Sequence, residues 1–194
     1  GNTVGFETLY RDADFKTARA ADYEDWYSGL NARWDLSSKT LVSARGGYQD
    51  RNYDAFTAGN FDGFVGDLAA TWRPTVKTTI VASVSRDISN LQDEIANYAV
   101  IDAVGLEPSW SITEKTALRG WARYERRDFR GTGEVVEDLA DREDDVYSYG
   151  LWLDWRFLTN GTVSLGYRTE ERDSNRVLRD YDYNSVQAMV SIGL

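Results

Sequence analysis

The chain has 194 residues, a formal net charge of −10, and neither cysteine nor histidine. Without thiol or imidazole it can build no disulfide, no Ser-His-Asp triad and no His-ligated metal, and its acidic balance argues against a nucleic-acid face. No run approaches the roughly 20 apolar residues of a transmembrane helix. Seven Trp, 12 Tyr and seven Phe accompany only two Pro, a bias toward long strands.

Taken in chain order, alternating segments predict ten strands, at 3–11, 22–36, 40–51, 59–73, 77–87, 96–112, 115–128, 144–157, 161–172 and 181–194. Four copies of one pattern organise them: "LNARWDLSSKTLV" from Leu30, "LAATWRPTVKTTI" from Leu68, "LEPSWSITEKTAL" from Leu106 and "LWLDWRFLTNGTV" from Leu151. Each runs Leu, then Ala, Pro or Leu, then Trp at alternate positions, followed by a short polar turn and a new strand. The turn carries Lys-Thr in three copies (Lys39-Thr40, Lys77-Thr78, Lys115-Thr116). The last strand, "SVQAMVSIGL", reads as a fifth copy with Ile192 in the Trp position. Pairing of that strand with 3–11 is expected to close the sheet and remove its edges. Short turns thus lie at one end and long connections at the other, the antiparallel arrangement of outer-membrane barrels.

Parity separates two faces. Leu30, Ala32, Trp34 and Leu36 share one with Phe64, Leu68, Trp72, Leu106, Trp110, Leu151, Leu153, Trp155, Leu165 and Tyr167. Asn31, Arg33, Asp35, Arg45, Asp67, Glu107, Arg119, Arg123, Glu125, Asp154, Arg156, Arg168 and Glu170 occupy the other; Asp102 is the main charge on the apolar side. Trp34, Trp72, Trp110 and Trp155 all fall just before a short turn on the apolar face, as membrane-interface anchors in an aromatic girdle would, and Tyr10, Tyr48, Tyr124 and Tyr167 suit a second ring at the far end. Val186 to Leu194 is eight steps of about 3.4 Å, which at a tilt of about 40° spans roughly 21 Å, near the apolar band of such barrels. The fold class expected is therefore all-β: an antiparallel up-and-down transmembrane β-barrel of about ten strands, with residues 1–194 as one domain.

With these repeats in view, "ATWRPTVKTTIVASVSRD" at 70–87, "SWSITEKTALRGWARYERRDF" at 109–129 and the terminal "YNSVQAMVSIGL" resemble the outer-membrane β-barrel porins encoded with bacterial exopolysaccharide and capsule synthesis genes. The resemblance implies a bacterial outer-membrane location beside polysaccharide export or assembly machinery, with outer-membrane lipid and lipopolysaccharide as surroundings. The ending also resembles the signal read by the barrel-assembly machinery, with Leu194 in place of the usual terminal aromatic. Family members are longer, and "NTVGF" at 2–6 resembles "GTVSL" at 161–165, which follows a short turn. A larger barrel with a strand upstream is the matching expectation.

For chemistry, Arg33, Arg45, Arg119, Arg123, Arg156 and Arg168 form a lumen ladder able to contact an anion or a sugar chain. The simpler expectation is that Asp35, Asp67, Glu107, Glu125, Asp154 and Glu170 pair with them in a narrow interior. The acidic stretch 128–145 fits a solvated external loop, or a divalent-cation or partner surface. Glu125 and Asp154 lie within the charge network, with no readable sugar cleft for glycoside hydrolysis. No catalysis, no cofactor and no metal are expected. Two other readings fit the same residues: an adhesive surface barrel whose acidic loops bind a partner, and a soluble β-sandwich that binds carbohydrate.

Overall fold

The computed structural model describes residues 1–14, 22–54, 60–89, 98–130 and 142–193. Ten strands follow one another in it: β1 (Thr3–Ala13), β2 (Tyr23–Ser37), β3 (Thr40–Tyr53), β4 (Phe61–Thr75), β5 (Thr78–Ser89), β6 (Tyr98–Ser111), β7 (Thr116–Arg130), β8 (Glu143–Leu158), β9 (Gly161–Ser174) and β10 (Tyr181–Ile192). They form one antiparallel sheet in sequence order, each strand bonded to its chain neighbours. A sandwich of two packed sheets is thereby excluded, and the up-and-down order read from the sequence holds.

Register explains the repeated motif. Thr40, Thr78 and Thr116 lie directly opposite Trp72, Trp110 and Trp155 of the next descending strand. Beside each of these pairs the preceding lysine carbonyl accepts a hydrogen bond from the residue after the Trp, namely Arg73, Ser111 or Arg156. Within the turns, the amide of Lys39, Lys77 or Lys115 donates to the hydroxyl of Ser37, Thr75 or Thr113 at 3.1–3.2 Å. The hydroxyl two residues before the lysine supplies an acceptor that fixes the turn locally. Ile192 stands opposite Gly161, and the Gly193 amide donates to the Asn160 carbonyl. The last strand is thus a fifth copy in the same register; Leu194 lies outside the described residues.

The sheet curves. Arg11 on β1, Arg45 and Arg51 on β3, Asp67 on β4 and Glu125 on β7 all line one cavity of ≈ 380 Å³, which requires the face they share to be concave. Two small apolar clusters, Phe61 with Ile88, Tyr98 and Val100, and Ala99 with Phe129, sit at the long-connection end. Toward the short turns the concave face is open, so no central core fills the trough.

The expected closure between the last strand and the first is corrected. β1 bonds only to β2 and β10 only to β9 among the described residues, leaving two free edges. A closed ring of about ten strands has little interior room beyond its own side chains. This inner face carries Tyr27, Trp121, Trp152, Tyr181 and Tyr183 besides its arginines.

Candidate binding wall on the inner face

Alternation places all six arginines of the predicted ladder on the concave face. Arg45 reaches across β2 to Glu7 with two bonds of 3.1 and 3.2 Å, its guanidinium 4.3 Å from the Tyr27 ring. That reach is possible because Gly29 and Gly47 have no side chain where Tyr27 lies across them. Arg119 binds both oxygens of Asp154 at 2.5 and 2.9 Å, Arg123 meets Glu125 at 2.6 Å, and Arg168 meets Glu170 at 2.8 Å. Glu125 also receives Arg127. Arg33 and Arg156, near the short turns, are exposed and have no carboxylate within ion-pair distance among the described residues. The arginines therefore divide into four held against acids and two facing open space.

Higher on the wall, Glu170 also accepts a hydrogen bond from the Tyr181 hydroxyl. Arg168 and Tyr181 thus both donate to this one carboxylate. Asp144, fully buried, is held by Arg142 at 2.5 Å and by the Ser174 hydroxyl at 2.6 Å. The acidic stretch 128–145 is described only at its ends. There Asp128 pairs with Arg130, Glu143 with Arg126 and Asp144 with Arg142, while 131–141 lie outside the described residues.

Sequence reasoning missed the aromatic members of this wall. Trp121 and Trp152 lie on the concave face, their rings 6.3 Å apart and 24° from parallel. Both line a cavity of ≈ 450 Å³ with Ser83, Glu107, Arg119 and Arg123. Parity could have found them: Trp121 is odd-numbered on a strand whose apolar face is even, and Trp152 is even-numbered on one whose apolar face is odd.

The convex face has a different chemistry. Trp34, Trp72, Trp110 and Trp155 are 47%, 49%, 49% and 52% exposed, four equivalent sites, each three residues before the one that closes its hairpin: Ser37, Thr75, Thr113 or Leu158. Leu30, Phe64, Leu68, Leu106, Leu151, Leu153 and Leu165 are exposed between this row and the tyrosines. At the upper limit, Tyr124 donates to Asp145 at 2.7 Å and Tyr48 donates to Asp62; Tyr167, expected in the same ring, stands lower, opposite Leu151, and donates to Asn184 at 2.6 Å. Asp102, the charge that broke the apolar pattern, faces Arg86 across the β5–β6 pair at 3.6 Å, at the upper limit of that band.

No curated protein is significantly similar to the chain. A family model described as "Putative beta-barrel porin 2" matches residues 10–193, nearly the whole sequence and every strand from the end of β1 to β10. The chain belongs to that β-barrel porin family.

Proposed function

We propose that this sheet is wall of a non-catalytic barrel in the bacterial outer membrane, acting as a porin-like component of exopolysaccharide export or assembly. One observation carries the membrane reading: a band of exposed Leu, Val and Phe on the convex face, bounded below by four equally exposed Trp and above by tyrosines such as Tyr124 and Tyr48, whose hydroxyls bind carboxylates. Water-soluble monomers rarely expose a contiguous apolar surface of this extent. Aromatic rows at both limits are the pattern that lipid interfaces favour. From Tyr147 to Trp155 is eight steps of about 3.4 Å, or roughly 21 Å when tilted by about 40°, close to the apolar height of a transmembrane barrel.

The free backbone groups of β1 and β10 cannot face hydrocarbon without a cost of several kcal/mol for each unsatisfied group. In the bilayer these edges are therefore joined by further antiparallel strands, giving a barrel of more than ten. Support for the polysaccharide role is the sequence resemblance, together with a concave wall of guanidinium, carboxylate and aromatic groups. Catalysis is not part of the reading, since Glu125, Asp154 and Glu170 are each neutralised by arginine. Membrane fractionation with and without heating in detergent tests it: the expected result is an envelope-bound protein whose gel mobility changes on boiling. A protein extracted by salt alone, with one mobility, would overturn it.

A further inference from the structure

Register puts inner residues of β7 to β10 into rows. Arg119, Trp152, Gly166 and Gln187 form one; Trp121, Gly150, Arg168 and Ser185 the next; then Arg123, Ser148, Glu170 and Tyr183; then Glu125, Val146, Arg172 and Tyr181. A ring and a guanidinium thus recur in all four rows. The contacts are continuous: Trp152 beside Trp121, Arg168 5.4 Å from the Trp121 ring and 5.6 Å from Tyr183, Tyr183 stacked on Tyr181 at 6.2 Å, and Arg172 4.3 Å from Tyr181. Three row spacings of two residues each make this strip about 20 Å long.

The two indoles lie along the wall. A Cβ at Gly150 would stand 2.6 Å from the Trp152 ring and 2.7 Å from Trp121 Nε1, and one at Gly166 would collide with the Trp152 indole. Glycine at both sites lets Trp152 rest on bare backbone, with its other face toward the trough. Both indoles remain only partly buried, at the side of the ≈ 450 Å³ cavity.

We propose that this strip is a binding track for a neutral hexopyranose chain; the proposal rests on the barrel reading above. Pyranose rings present flat C–H faces that pack on aromatic faces, and their hydroxyls both donate and accept hydrogen bonds. Arg119 with Asp154, Arg123 with Glu125 and Arg168 with Glu170 offer donor and acceptor side by side at each level. An anionic chain gains no net attraction here, because Asp154, Glu125 and Glu170 already occupy Arg119, Arg123 and Arg168.

The test uses the full chain refolded in detergent micelles, titrated with neutral glucose oligomers of one, two, four and six units and with uronate oligomers of equal length, read by tryptophan fluorescence. Saturable binding that tightens with length and is weaker for the uronates is expected. Trp152→Ala and Trp121→Ala should each weaken binding by about tenfold or more, and Trp152→Phe, which keeps a ring on the glycines, by less. Absence of saturable binding, tighter uronate binding, or alanine variants that bind as the parent would each overturn the proposal. Heat-modifiable mobility, recorded for every sample, separates the two readings. Its presence without sugar binding removes only the track, whereas its loss in the parent removes the barrel. Should either alanine variant fail to fold, equal affinity in Trp152→Phe and the parent would overturn the track by itself.

Discussion

Leu68→Arg and Ala69→Arg differ by one position and by face. Leu68 lies on the convex side of β4 between Ala44 and Val84, 45% exposed, while Ala69 lies on the concave side between Ser43 and Ser83. Leu68 is four residues before Trp72, about 14 Å along the strand and so about 10 Å above the Trp row at the usual tilt, close to the middle of the apolar band. An arginine there would cost about 2–4 kcal/mol in lipid. On a water-exposed surface the same change would be within about 0.5 kcal/mol. At Ala69 the guanidinium enters the polar trough near Asp67, and the expected cost is below about 1 kcal/mol. Urea titration of vesicle-inserted protein, followed by tryptophan fluorescence and heat-modifiable mobility, gives both values. A Leu68→Arg variant as stable as the parent, with Ala69→Arg the more damaged, would refute the assignment of faces.

Replacing Trp34, Trp72, Trp110 or Trp155 by Ala should lower stability in vesicles by similar amounts, about 1–2 kcal/mol each, because the four sites are equally exposed. Unequal costs in the same urea titration would argue against a common interfacial row. Thr75→Ala removes the acceptor for the Lys77 amide and should cost about 0.5–1.5 kcal/mol by denaturant midpoint, with Thr75→Ser close to the parent. Glu170→Gln removes the carboxylate to which Arg168 and Tyr181 donate and should be about 0.5–1.5 kcal/mol less stable than the parent in the same urea titration; equal stability would contradict the pairing.

Much of the fold was legible because a strand's period of two leaves a strong record when one face is apolar. The four Trp repeats located the turns, and register confirmed even the fifth copy, with Ile192 opposite Gly161. Closure was not legible. Alternation fixes which way a side chain points but says nothing of curvature or of what the edge strands pair with. The aromatic wall escaped for a related reason: Trp121 and Trp152 break the polar character of the inner face, and reading that face as charge alone hid them. The glycines at 150 and 166 were silent until their register beside these indoles was known.

The central claim is that the convex face meets lipid, and the absence of native cysteine makes a direct measurement possible. Single cysteines placed along β4 from Phe64 to Trp72 in intact vesicles, probed with a water-soluble maleimide, should alternate. Phe64→Cys, Leu68→Cys and Ala70→Cys should stay unlabelled, while Asp67→Cys and Ala69→Cys should react from the aqueous trough. Uniform labelling at every position, with no period of two, would contradict it.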